Sequence, residues 1–404
     1  MLIVSDTMER LTLLLVLFMA TSVLGATTSF NVMSYGAVGN GRADDSQAFV
    51  KAWKAVCQAK STNPILYIPP KKTFMLKPLT FNGPCKSSRI YILVSGMIVA
   101  PKKTEWAGNQ LHAWLIFANI NGLNVSGKGT INGQGSSWWP QPCLHNPVNG
   151  EQCKGPTAIT FRRCHGLRLS GLTHINSPAV HILITATNGA LVSNLRIIAP
   201  GTSPNTDGID ISSSTNVQIR NSFIGTGDDC IAISAGSSNI NISGITCAPG
   251  HGISIGALGH GGYDVVENVR VRNCTLKNTL TGLRLKTWQG GKGYARKISF
   301  EGIKFVDVHH PVQIDQYYCP TRVNCQNFTS AVAISDISYT AITGTSLDEQ
   351  VIDLSCSQSI GCTNIKLDRV YITSSTPGNK VYANCVNARG KSSHTRPAVN
   401  CLLP

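Results

Sequence analysis

Acidic residues are scarce in this chain: 20 Asp and Glu stand against 35 Lys and Arg, a formal charge of +15 over 404 residues. A surplus of that sign either keeps a surface soluble or draws a polyanion through long-range attraction, and nucleic acid and acidic polysaccharide both qualify as the polyanion. No nucleic-acid-binding module is present and the basic residues are scattered, which turns the balance to an acidic glycan. Linker-like Pro/Gly/Ser or single-sign tracts are also missing. With 42% hydrophobic residues the chain has enough apolar material for one large core, so a single mature domain is expected.

Beyond residue 25 no apolar stretch reaches the roughly 20 residues that a bilayer span requires, which excludes an internal membrane anchor. The run from Leu11 to Val23, followed by the small residues Gly25 and Ala26, has the length of a signal peptide, and cleavage is expected after Gly25. The acidic Asp6 and Glu9 are unusual there; a start at Met8 would give the same mature chain, 26–404. C-x-x-C pairs are absent, which argues against zinc. In an exported protein the 14 cysteines point to disulfides instead, and close spacing suggests Cys143 with Cys153, Cys230 with Cys247, and Cys356 with Cys362. Four N-x-[ST] triplets, at Asn124, Asn241, Asn273 and Asn327, agree with export.

Long helical periodicities are few, and from about residue 120 short β-branched segments recur instead. Leu167-Arg-Leu-Ser-Gly171, Leu191-Val-Ser-Asn194, Val217-Gln-Ile-Arg-Asn221, Ile240-Asn-Ile-Ser-Gly244, Val269-Arg-Val-Arg-Asn273 and Ile298-Ser-Phe-Glu-Gly302 share one template. Their terminal Asn or Gly residues are 23, 27, 23, 29 and 29 positions apart. Asn and Gly tolerate the left-handed backbone best, so one sharp bend at the same corner of each coil explains them. A period in the twenties is too long for the hairpins of a β-sandwich and predicts an all-β, right-handed parallel β-helix. Such a coil needs its end covered. Asp44 to Lys60, with Ala48, Phe49, Ala52, Trp53 and Val56 at helical spacing, reads as a short N-terminal capping helix begun by Asp44 or Asp45.

Asp207 in Asn205-Thr-Asp-Gly-Ile-Asp210, Asp229 in Gly227-Asp-Asp-Cys230, and His251 in Gly250-His-Gly are separated by 22 and 22 residues. If 22 residues form one rung, these side chains stack at the interstrand spacing of about 4.8 Å. Stacked carboxylates drive their pKa values apart, as an acid and a base working at one pH require, and glycoside hydrolysis uses such a pair. Asp228 and Asp229 are adjacent, so both reach one cleft only at a bend, for which Gly225 and Gly227 provide. Arg284 and Lys286 alternate on a strand and would add cations beside the carboxylates. Taken singly, each residue has a plainer role: Asp207 and Asp210 in turns, Asp228 and Asp229 in an Asx corner or as calcium ligands, His251 as a hydrogen-bonded histidine. A purely structural ladder has no cause to hold them all in register. His309-His310 reads as loop.

The four blocks Asn205-Thr-Asp-Gly, Gly227-Asp-Asp, Gly250-His-Gly and Arg284-Leu-Lys286, in this order, resemble glycoside hydrolase family 28, the polygalacturonases, and its plant-type members in particular. The similarity runs from Asn31-Val-Met-Ser-Tyr-Gly-Ala to the cysteine-rich end. It implies an inverting hydrolase of pectic polygalacturonate, secreted to the cell wall, monomeric and without metal or cofactor. Carried over residue by residue, it implies that Asp228 is the general acid, that Asp207 and Asp229 hold and deprotonate water, and that His251 tunes the acid. By the same resemblance Arg284, Lys286 and Tyr318 bind a galacturonate carboxylate, and Asn205 orients Asp207 or contacts sugar. Departures such as Leu285, Ala232 and Ala248 remove no reacting group. A calcium-dependent lyase of the same architecture, a rhamnogalacturonan hydrolase and an inactive pectin-binding wall protein are the alternatives. The Arg284 and Lys286 pair and the intact carboxylates disfavour the last two.

Overall fold

The computed structural model describes residues 28–106, 112–139, 155–319, 325, 328–329 and 331–404. The expected signal segment, Cys143 with Cys153, and the Asn327 triplet lie outside them. The described chain is wound into a parallel β-helix of two sheets, one of 21 strands and one of 11. The 11-stranded sheet supplies one strand per rung, and neighbouring rungs pair in parallel, as Ile182–Thr185 does with Ile209–Ser212 and that strand with Ile231–Ile233.

Alternation along each of these short strands decides what is inside. Ile182, Ile209, Ile231, Ile253, Leu283, Val312 and Ile352 stand in register as one buried ladder. Two residues further on, Ile184, Ile211, Ile233, Ile255, Leu285, Ile314 and Leu354 form a second. Fully burying each such side chain stabilises the coil by about 1.5–3 kcal/mol before ordering costs. Residues between the two ladders face outward, and in the middle rungs that outward row becomes the floor of the site.

The predicted corner is present. Gly171, Asn194, Asn221, Gly244, Asn273 and Gly302 all have φ between 50° and 78°. The same corner continues through Ala341, Arg369 and His394, with φ of 53°, 54° and 52°, where no Asn or Gly marks it. The coil also begins far earlier than residue 120, since Ser29–Asn31 pairs with Ile65–Ile68, which pairs with Ile90–Val94. At the corner position of that early rung stands Val94, paired with Gly127, so the Asn/Gly template is absent although the strands are there.

The capping helix spans Ser46–Gln58, with Asp45 at its N-cap, and buries the five expected residues together with Cys57. Its start is shared between two acids. Asp44 accepts the Ser46 N–H at 3.0 Å, while the Asp45 carboxylate turns back to the N–H groups of Val38 and Gly39 at 2.6 and 3.1 Å. Trp53 packs edge-on against Phe81, the first of a stacked aromatic column Phe81, Phe117, Phe161. The disulfide Cys57–Cys85 ties the cap to the first rungs. Cys230–Cys247 and Cys356–Cys362 are bonded as anticipated, and Cys319–Cys325 and Cys385–Cys401 are further pairs. Of the glycosylation triplets, Asn241 and Asn273 are exposed and Asn124 is half-buried. No helix among the described residues is long and apolar enough to cross a membrane.

A left-handed corner at Asn221 makes a direct prediction. Asn221→Val should lower stability by about 1–2 kcal/mol, because a β-branched residue resists that backbone region, whereas Asn221→Gly should stay within about 0.5 kcal/mol. Denaturant midpoints of the two variants decide it; equal losses would show that the corner does not constrain the residue.

Candidate active site

The 22-residue interval is a true rung. Ile209 pairs with Ile231 and Ile231 with Ile253, so the residues two positions before each, Asp207, Asp229 and His251, fall in one row at the N-terminal edge of the floor strands. Backbone hydrogen bonds fix the row: Gly208 N–H donates to the Asp229 carbonyl at 2.9 Å, and His251 N–H to the Asp228 carbonyl at 2.8 Å. The expected bend before Asp228 occurs, with the strand Thr215–Gly225 ending just ahead of it. Gly227 is required there by space, since a Cβ would lie 2.0 Å from the Ser203 carbonyl oxygen. Thr206 accepts the Gly227 N–H at 3.0 Å and lies 2.6 Å from the Ser203 hydroxyl, so the turns that carry Asp207 and Asp228 are bound to each other.

Because of the bend, the two adjacent aspartates have different surroundings. Asp228 is partly open to solvent and its Oδ1 lies 3.0 Å from His251 Nδ1 while accepting the Asp229 N–H at 2.8 Å. Asp229 is buried, with Oδ1 accepting from the Ser254 hydroxyl and Oδ2 from Lys286 Nζ, both at 2.7 Å. Burial pushes the Asp228 carboxyl up, but the hydrogen bond and charge of His251 and the charge of Lys286 outweigh it and hold the group below its ordinary value. Asp207 goes the other way: burial and then the neighbouring carboxyls Asp210, Asp228 and Asp229 raise it well above the usual carboxylate range. For Lys286 burial disfavours the ammonium, yet Asp229 more than compensates and its pKa rises.

Arg284 and Lys286 do project together, on the strand Thr281–Trp288 one rung beyond His251. Both cations lie against the ring of Tyr318, 5.4 and 5.6 Å from its centroid. Trp288 packs edge-on to Tyr318, and the exposed His260 ring follows at 4.6 Å from Trp288. The site is therefore a trough: carboxylates and His251 at the N-terminal edge of the floor, cations in the middle, and rings at the C-terminal edge. Asn205 is exposed in the turn before Asp207 with φ of 54°. Of the pair read as loop, His309 lies in the bend before the strand His310–Tyr318 but His310 opens that strand, and their Nδ1 atoms flank the carboxylate of Asp348 at 3.1 and 3.0 Å.

Two site residues escaped the sequence. Asp210, assigned there to a turn, is on the floor strand in the outward row Asp210, Ala232, Ser254, Arg284. Its Oδ1 is buried without a hydrogen-bond partner among the described residues, and burial followed by Asp229 and Asp228 raises its pKa to about 8. Ser254, in the same row, is the hydroxyl that anchors Asp229. The strand alternation after Asp207 and His251 was the available signal for both. Asp228, Asp229 and His251 bring ligand atoms within 4.8 Å of one another, the spacing of a metal site. The donor set does not fit a cation, however, because Asp229 is already engaged by the Lys286 ammonium, which a metal would have to displace.

Residues 57–395 match the glycosyl hydrolases family 28. A probable polygalacturonase of Arabidopsis thaliana is 46% identical over 385 residues, covering 94% of this chain and 82% of its own length. A polygalacturonase of Cryptomeria japonica is 42% identical over 388 residues, 94% of this chain and 74% of that one. Among solved structures, the polygalacturonase from Erwinia carotovora superposes with a TM-score of 0.70 at 21% identity, covering 93% of this chain and 99% of its own. The endo-xylogalacturonan hydrolase of Aspergillus tubingensis gives 0.73 at 24%, with 90% and 96% covered. These structures share the coiled fold, and the sequence match over most of the length carries the assignment: the chain belongs to the glycosyl hydrolases of family 28.

Proposed function

We propose that the protein is a polygalacturonase, secreted to the cell wall, that hydrolyses α-1,4-galacturonosidic bonds of pectic polygalacturonate with inversion. The observation that carries this is the trough itself, in which a row of carboxylates shares one floor with two cations that lie two rungs beyond Asp229. The carboxylates supply acid and base, and the cations suit a substrate that bears a carboxylate on each sugar. Relatives named as polygalacturonases across nearly the whole chain support the same substrate. The five disulfides among the described residues suit an oxidising, extracellular setting.

In this mechanism Asp228 protonates the leaving oxygen, Asp207 and Asp229 hold and deprotonate the attacking water, and His251 governs the protonation of Asp228. Arg284 and Lys286 grip a uronate carboxylate, Tyr318 walls that subsite, and Asn205 contacts sugar or steadies Asp207. In the free site burial and neighbouring carboxyls raise Asp207 and Asp210, while His251 and Lys286 hold Asp228 low. Asp228 is held low chiefly by the hydrogen bond and charge of His251, so His251 is the contact that must change before Asp228 carries the proton it donates.

Purified protein should release reducing ends from de-esterified polygalacturonate with a chelator present and with no rise in ultraviolet absorbance. Asp228→Asn should abolish release, and the first product should carry the β anomeric proton by NMR. Absorbance from an unsaturated product would instead reveal a lyase, and no release at all a binding protein. Arg284→Gln should lower kcat/KM by roughly 10- to 150-fold, the worth of a charge-assisted hydrogen bond of about 1.5–3 kcal/mol, mostly through KM; an unchanged KM would remove Arg284 from the substrate.

Protonation also fixes the sign of a stability change. Asp210 moves from an ordinary 3.8 when unfolded to about 8 when folded, so between those values the native state holds a proton that the unfolded chain has lost. Stability attributable to this group must therefore fall as pH rises through that window. Asp210→Asn should flatten the decline in thermal midpoint between pH 5 and pH 8; an identical slope in variant and parent would refute the assignment.

A further inference from the structure

His181 lies one rung to the N-terminal side of Asp207, directly before the floor strand Ile182–Thr185, and is almost wholly buried. Two hydrogen bonds of its ring are to backbone groups of fixed polarity. Nδ1 is 3.0 Å from the Asp207 carbonyl oxygen, which can only accept, and Nε2 receives the Ser177 N–H at 3.3 Å, which can only donate. Those partners select the neutral imidazole with its proton on Nδ1. The His181 peptide N–H donates to the same carbonyl at 2.8 Å, so Asp207 is bound twice from below. From the other side, Gly208 N–H is bound to the Asp229 carbonyl. The peptide plane that carries Asp207 is thus held by both neighbouring rungs, and the ring provides the one side-chain contact in that clamp.

We propose that His181 is a positioning residue for hydrolysis, which fixes the peptide of Asp207 and through it the direction of the carboxylate that holds the attacking water. The inference rests on the function proposed above. Near this ring the other titratable side chain is His174, buried in the interior row with Ile131 and Ile197, both of its nitrogens without partners among the described residues. Burial brings His174 to about 3 and His181 to about 4, in the latter against the pull of the Asp207 and Ile198 carbonyls. Both rings accordingly remain neutral at the pH at which Asp210 exchanges its proton, and the clamp does not loosen there.

The test compares His181→Asn, His181→Gln and His181→Leu with the parent enzyme on polygalacturonate, with thermal midpoints taken in parallel. Asn keeps an amide N–H near the Nδ1 position, whereas Gln moves its amide outward and Leu has no donor. His181→Leu should lose kcat by about 10- to 100-fold, the scale of a misplacement near 1 Å, with KM within about twofold. His181→Asn should recover at least several-fold of that loss, and its acid limb in kcat against pH should coincide with the parent's. Equal kcat for Asn and Leu, a change confined to KM, or parental kcat in a folded Leu variant would overturn the proposal. If Leu does not fold, the Asn and Gln pair decides, with Gln expected to be the slower. A parent enzyme that releases nothing from polygalacturonate would instead remove the functional reading, whatever His181 does.

Discussion

Stacking in register is the constraint on which everything else in this molecule depends. Once Ile209, Ile231 and Ile253 lie above one another, the residue two places before each must lie at the same edge, about 4.8 Å apart. Neither the carboxylates nor His251 needs a loop to gather them. The floor keeps its register even where the path between rungs lengthens, as from Ile253 to Leu283, because the inward ladder sets the pairing and the outer turns absorb the extra residues. Function is therefore placed by the core: the isoleucines that exclude water also dictate which acids meet.

That placement is electrostatically costly, and the site contains its own relief. Asp207, Asp210, Asp228 and Asp229 crowd one edge with little solvent, a grouping that cannot be fully ionised at neutral pH. Lys286 stabilises Asp229 by a buried ion pair, Ser254 satisfies its other oxygen, and His251 serves Asp228. Among the described residues Asp207 and Asp210 have no cation within hydrogen-bonding distance, and both are raised instead. Which carboxyl is raised and which is lowered thus follows from its partners. Lys286 lowers Asp207, Asp210 and Asp228 alike, so a uronate that took up this ammonium would raise all three carboxyls together.

Much of this was legible in the sequence, and the failures have specific causes. The coil could be read where an inward alternation coincided with Asn or Gly at the corner, which holds from Gly171 to Gly302. One rung before Gly171 the corner is still Gly127, but the rung before that carries Val94, and after Gly302 come Ala341, Arg369 and His394, so strands remained while the punctuation vanished. Asp207, Asp229 and His251 were legible because their interval equals one rung. Asp210 was not, since an Asp after Gly-Ile reads equally as turn or strand, and only the pairing of Asp210 with Ala232 puts it on the floor. His181 could not be found by spacing at all: its contact is to a backbone carbonyl, and a carbonyl leaves no trace in residue identity.

The edge of the trough also explains why residues beside the acids are so small. Immediately after Asp207, Asp229, His251 and Thr281 the rungs carry Gly208, Cys230, Gly252 and Gly282. A Cβ on Gly208 would approach the Cys230 carbonyl oxygen to 2.5 Å, and one on Gly252 the Gly282 carbonyl oxygen to 2.2 Å. At Gly208 and Gly252 the rung passes tightly over the next, which a bare backbone permits. Larger residues would push the rungs apart where Asp207, Asp229 and His251 must approach. Cys230 can stand in the row because its sulfur is drawn inward to Cys247, away from the crossing. The glycines that look like loop punctuation in the sequence are, in the fold, what allows the carboxylates to come close enough to share protons.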